Sequence, residues 1–120
     1  MADNDKAIDL ADVLERVQDD WELLLELLDI FDQDFSAKRS VLAQMVMENN
    51  FDKVRDIAHS LKGASGNISA KPLFHSFYQL EKMGESRDLT RAGEVLKSID
   101  AQIVELKASV VQLKKDYKNR

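Results

Sequence analysis

Apolar residues recur at helical spacing through most of the chain. Ile8, Val13, Leu14 and Val17 predict a short first helix over residues 8–17. Leu24, Leu27, Leu28, Phe31, Phe35, Leu42 and Met45 mark a second, long helix from about residue 20 to 48, with Asp19 or Asp20 placed to cap it. At 1.5 Å per residue it would be roughly 42 Å long. Asn49-Asn50 interrupts this pattern, and a third helix follows over Phe51–Asn67, burying Val54, Ile57, Ala58, Leu61 and Ser65. The break from Ser69 to Pro72 opens a fourth, since proline suits a first helical turn. It carries Leu73, Phe77 and Leu80 and is expected to end near Gly84. The last helix, about 90–118, is expected to be capped by Asp88 or Thr90. Its stripe is Ala92, Leu96, Ile99, Ile103, Leu106, Val110, Leu113 and Tyr117. Strand patterning is absent. Short connections between long helices make neighbours antiparallel, so the expected fold is all-α: an antiparallel up-down four-helix bundle with a short additional N-terminal helix.

Composition adds limits to this picture. A chain of 120 residues makes one domain, 1–120, in which residues 1–7 are expected to be flexible. Without cysteine there is no disulfide framework and no thiolate chemistry, which fits a reducing cytoplasm. No run approaches the ~20 apolar residues of a membrane span. The start, Met1-Ala2-Asp3-Asn4-Asp5, is too acidic for a signal peptide. The formal net charge is −5, and basic residues are interleaved with acidic ones except at the tail, which argues against a nucleic-acid partner. Val104, Ala108 and Val111 lie opposite the main stripe of the last helix. They are read as scattered surface apolar residues, and the chain as a cytoplasmic monomer.

The candidate chemistry lies in the third helix. At 100° per residue His59 falls roughly 160° from the centre of the apolar stripe, facing solvent. Arg55, Lys62, Gly63 and Gly66 are its neighbours on that wheel, with Asp52 and Asp56 on the other flank. An exposed imidazole is substantially neutral near pH 7, so one ring nitrogen is a free nucleophile. If it took a phosphoryl group, Lys62 one turn on, and Arg55 one turn back, could offset the added charge. Two glycines inside one helix each cost roughly 1 kcal/mol relative to alanine. Gly63 and Gly66 would leave room for a partner's active site to approach. On the preceding helix Ser36, Ala37 and Ser40 are level with His59, and Ser40 is included in the expected docking face. Asp56-x-x-His59 has metal-ligand spacing, but a second pair is missing and His59 faces outward, so no metal is expected. His75 is read as a surface residue, and Trp21 as packing against the first helix. No phosphate-cradling glycine loop is present, so the chain is not expected to phosphorylate itself from ATP.

The run Ala58-His59-Ser60-Leu61-Lys62-Gly63-Ala64-Ser65-Gly66-Asn67-Ile68-Ser69-Ala70 resembles the signature of histidine-containing phosphotransfer (HPt) domains, roughly A-H-x-L-K-G-x-x-x-x-[LIV]-G-A. The acidic-leucine run from Trp21 to Phe31 and the step Leu80-Glu81 are similar to that family too, so the resemblance covers about residues 8–100. It implies a phosphorelay intermediate, with His59 phosphorylated, Lys62 as charge partner and Gly63 as close-approach position. The implied partners are response-regulator receiver domains, which carry the Mg²⁺, and a histidine or hybrid histidine kinase. No cofactor of the chain's own is implied. Two positions depart from the pattern. Ser69 replaces a glycine. Glu81 stands where some members place a glutamine beside the histidine, and since a carboxylate pointing inward would repel a phosphoryl group, that role is not carried over to it. Two other readings compete: a helical adaptor that binds without phosphotransfer, and the phosphoacceptor domain of a chemotaxis-type kinase. Met1 and the early end after the last helix favour a freestanding protein over the latter.

Overall fold

The computed structural model describes residues 6–119. They form five α-helices and, among the described residues, no strand: α1 (Leu10–Arg16), α2 (Trp21–Met47), α3 (Phe51–Asn67), α4 (Lys71–Ser86) and α5 (Ala92–Lys118). Side-chain caps set three of the starts. Asp9 accepts from Asp12 N at 3.1 Å, Asp20 from Leu23 N at 3.0 Å and Asn50 from Lys53 N at 3.2 Å. Such a cap typically contributes about 1 kcal/mol. Pro72 lies in the first turn of α4, where its missing N–H costs no helical bond.

Helix α4 ends at Ser86, near Gly84 as expected, with Gly84 itself inside the last turn. One expected cap moves. Neither Asp88 nor Thr90 caps α5. Asp88 Oδ1 instead accepts from Thr90 N and Thr90 Oγ1, closing a local turn, and the cap position falls to Arg91. Helices α2, α3 and α4 stop through one device. Asn49, Ser69 and Arg87 take left-handed φ of 52°, 54° and 60°. The next residue then bonds back to the helix: Asn50 N to Met45 O, Ala70 N to Ser65 O, and Asp88 N to Met83 O. Glycine usually takes such positions. Here all four glycines sit inside helices, and none has positive φ.

Helix α3 packs between α2 and α4, and α5 touches both α4 and α2, so the four long helices form a closed ring of neighbours. The core between them holds Leu24, Phe35, Leu42, Val54, Leu61, Leu73, Phe77 and Ile99. Phe35 and Phe77 meet across it with ring centroids 6.3 Å apart. Burying one such side chain is worth about 1.5–3 kcal/mol. Trp21 stacks on Tyr117 of α5, centroids 6.2 Å apart, and so fastens the far ends of the two longest helices.

Helix α1 buries Val13, and the residues flanking it bury Ile8 and Val17. It is also latched to the α3–α4 turn. Asp9 N donates to Ser69 O at 2.9 Å, Ser69 Oγ to Asp12 Oδ2 at 2.6 Å, and Lys71 Nζ to Asp9 Oδ2 at 2.7 Å. Ser69 replaces the family-like glycine in a left-handed conformation that costs a residue with a Cβ roughly 1 kcal/mol. Its hydroxyl bond to Asp12 offsets that cost. Of the expected flexible stretch 1–7, residues 1–5 lie outside the described residues. Ala7 packs half-buried against the core. No helix among the described residues is long and apolar enough to cross a membrane.

Candidate functional site

The site lies in the groove between α3 and α4, and Gly84 fixes how close these helices come. A Cβ on Gly84 would stand 2.8 Å from Phe51 O and 2.9 Å from Arg55 N, both backbone atoms that cannot swing aside. From this contact the helices run antiparallel in rungs. Gly84 meets Arg55, Glu81 meets His59, Tyr78 meets Lys62, and Phe74 meets Gly66.

The His59 side chain is 67% exposed, as its place on the helical wheel predicts. It leans towards α4, with Nδ1 2.6 Å from Glu81 Oε2. The Glu81 side chain is only 10% exposed, and its other oxygen, Oε1, is sealed from water with no well-aligned hydrogen bond. The Lys62 ammonium 2.6 Å from Oε1 compensates that oxygen by charge. Burial alone would raise the Glu81 pKa. The contacts from Lys62 and His59 outweigh it and hold the carboxyl below its ordinary range. Glu81 is therefore ionised at neutral pH, and an ionised carboxylate can only accept. The proton between Glu81 and His59 accordingly belongs to Nδ1, so that in the neutral form of the ring it is Nε2 that carries the lone pair.

This corrects the reading of Glu81. Its carboxylate does point inward, yet it faces Nδ1 rather than the nitrogen left open to solvent. Lys62 is likewise not a free point charge: it is engaged by Glu81, and its Nζ lies 5.4 Å from the centre of the Tyr78 ring. Gly63 stands in the open, since an added Cβ would meet nothing within 4 Å. Gly66 does not. A Cβ there would be 3.4 Å from the Phe74 ring, so this glycine makes a seat for an aromatic of α4. Arg55 spends its guanidinium on Asp56, at 3.0 Å, and Asp52.

Ser40 is not brought to the histidine. On the side of α3 towards α2, Ser60 accepts from Lys38 Nζ at 2.9 Å. Ser40 lines a separate depression on α2 with Ser36, Arg39, Ala43 and Met47. The axial level inferred from sequence does not give the side: His59 leans towards α4, away from the α2 face. His75 contacts Gln79 on the outer side of α4, beside a shallow depression towards α5. Among the described residues no three His, Cys, Asp or Glu side chains are placed to hold a metal ion.

Comparison with known proteins gives one finding of family. The family model described as Hpt domain matches residues 9–115. No curated protein and no solved structure matches the chain significantly.

Proposed function

The chain belongs to the Hpt domain family, whose members carry phosphoryl groups on histidine in two-component phosphorelays, and on that premise we propose that His59 is the residue phosphorylated. The observation that carries this reading is the His59–Glu81 pair: an exposed ring whose inner nitrogen is held by a buried carboxylate. Buried ion pairs are poor stabilisers, often no better than apolar residues of the same volume. A sealed carboxylate that engages both a histidine and a lysine fits better with reactivity than with stability.

In the proposed step the Nε2 lone pair attacks the phosphorus of an aspartyl phosphate on a receiver domain. The N–P bond forms, the P–O bond to the aspartate breaks, and its electron pair leaves with the aspartate carboxylate. The ring, still protonated on Nδ1, becomes cationic, and the Glu81 carboxylate at 2.6 Å stabilises that charge. For onward transfer, an aspartate oxygen of a second receiver attacks and the N–P electron pair returns to Nε2. Lys62 holds Glu81 ionised, and Gly63 leaves the approach to the ring unobstructed. A kinase histidine could also supply the phosphoryl group. The Mg²⁺ belongs to the receiver. The same reading makes the chain a monomeric, cytoplasmic carrier without a cofactor of its own. It takes the architecture as an up-down four-helix bundle with α1 as an extra element, which the closed ring of helices supports.

The test is incubation with phosphorylated receiver domains encoded in the same genome. Uptake of an acid-labile, base-stable label that His59→Gln abolishes is the expected result. Binding of a receiver without label would make the chain an adaptor and overturn the reading.

A further inference from the structure

Helix α5 carries two stripes at coiled-coil spacing, and only one of them meets the core. Ala92, Leu96, Ile99, Ile103, Leu106 and Leu113 are buried. Lys97, Ala101, Val104, Ala108, Val111, Lys115 and Lys118 follow the strict four-three alternation of a second seam, and each of them is exposed. Val104 is 68% and Val111 54% exposed. At 1.5 Å per residue this outer seam is about 32 Å long. We propose that it binds an acidic amphipathic helix of a partner protein. The partner lays apolar residues on Ala101, Val104, Ala108 and Val111 and sets carboxylates against the lysines at the two ends.

Charge selects that occupant. The chain has a net charge of −5, yet the seam holds lysines and no acid. The ammonium groups of Lys97, Lys115 and Lys118 form no ion pair with any described residue. Lys115 and Lys118 also complement the carbonyl end of α5, but Lys97 stands in its second turn, where the helix dipole gives a cation no such reason. Lys107 and Lys114 on the rim are already engaged, by Asp32 and Asp29, and add little. A second copy of the chain fits badly. Antiparallel pairing that sets Ala101 against Val111 and Val104 against Ala108 also sets Lys97 against Lys115 at both ends. Parallel pairing sets each lysine against itself, and like charges so placed select against the pair. Helices that lie in a lipid interface bring Trp, Phe or Leu to their apolar face, whereas this seam has valine and alanine. Its alanines let a partner helix come to the short end of the 8–10 Å interaxial range. In the ring of helices α3 and α5 stand at opposite corners, so the seam lies across the bundle from His59. A helix held there leaves the histidine open.

The test is fluorescence anisotropy of the full chain with two synthetic helical probes of about 22 residues, long enough to span the seam. Both carry leucine at the middle seam positions. One has glutamate at the end positions and the other has lysine there. The acidic probe should bind at least about tenfold tighter than the basic one. Val104→Ser with Val111→Ser should weaken it at least about fivefold. Lys97→Glu with Lys115→Glu should invert the preference between the probes. Circular dichroism melts check each variant, and Lys97→Gln alone, with an expected loss of about threefold, keeps the test open should the double reversal fail to fold. Equal binding of the two probes, no binding of either, or an unchanged preference after the reversal overturns the proposal. Tighter binding to phosphatidylglycerol vesicles than to the acidic probe overturns it too. These arms need no phosphorylation, so they stand or fall apart from His59. Saturating acidic probe should leave phosphoryl uptake by the chain unchanged; loss of uptake would seat the helix over the histidine and overturn the assigned face.

Discussion

Along the α2–α5 groove, polar pairs follow the helices in register. Arg39 meets Asp100 at 2.8 Å, Asp32 meets Lys107 at 4.0 Å, Asp29 meets Lys114 at 3.3 Å, and Tyr117 donates to Glu22. The α3–α4 groove is also antiparallel, but its rungs are Arg55 against Gly84, His59 against Glu81, Lys62 against Tyr78 and Gly66 against Phe74. The difference lies in water. The acid–base pairs of α2–α5 meet on the outside, where long side chains keep much of their hydration and each pair is worth about 0–1 kcal/mol. In α3–α4, Gly84 lets the backbones touch, Glu81 loses its water, and one carboxylate must be satisfied by a lysine and a histidine together. An ion pair on one side of the molecule remains at the edge of the solvent. On the other it dictates a proton's position.

The sharpest way to break this contrast is Gly84→Val. Its Cβ meets backbone, not the end of a flexible side chain. Overpacking of this kind costs about 1–3 kcal/mol, so thermal melts should show a fall of several degrees, and the His59–Glu81 contact should loosen with it.

Glu81→Gln tests the chemistry of the same groove. The amide removes the charge and can also turn its NH₂ towards Nδ1, which favours the wrong tautomer. Uptake of phosphoryl from a receiver should slow at least about tenfold, equivalent to about 1.4 kcal/mol. The pH dependence has a definite sign. The Glu81 pKa is depressed below the ordinary 4.5, so its stabilising contribution is complete above that value and is lost as pH falls through the lower, folded value. Asp9, Asp12 and Asp100 are depressed in the same direction, by contacts led by Lys71, Ser69 and Arg39. Melting temperature should hold from neutral pH to about 4.5 and then decline, with a shallower decline for Glu81→Gln. An identical acid limb in both proteins would show that Glu81 is not held ionised by its partners. The smallest effect belongs to the other groove. Asp100→Asn should cost under about 1 kcal/mol in denaturant unfolding and almost nothing at high salt.

The helical stripes were legible because burial repeats every turn: Leu24, Leu28, Phe31 and Phe35 are apolar in sequence and buried in the fold. His59 was legible for the converse reason, as a polar residue off the stripe. What one helix cannot reveal is its register against another. Glu81 lies 22 residues from His59, and the family pattern pointed to that position. Only the α3–α4 contact shows which imidazole nitrogen it faces. Gly84 marks a helix end, but sequence reports a missing side chain without saying whether the backbone turns there or a neighbour presses close. Gly66 raised the same ambiguity, which Phe74 resolves. Ser40 lines a depression on α2 instead, since rise per residue is fixed by the helix while azimuth depends on packing. The helix ends at Ser69 and Arg87 carry no glycine and are held by bonds that form only once the chain has turned.

The tie from Asp9 and Asp12 to Ser69 and Lys71 bears on any attempt to transplant this domain. The segment before α2 roofs the hinge below the reactive helix, through contacts more than fifty positions apart in the chain. A trimmed module that began at Trp21 would keep four long helices yet uncover apolar surface and leave a strained serine without its anchor. A chimera that is to inherit the reactivity must therefore bring its first turns along, although none of them touches the imidazole groove.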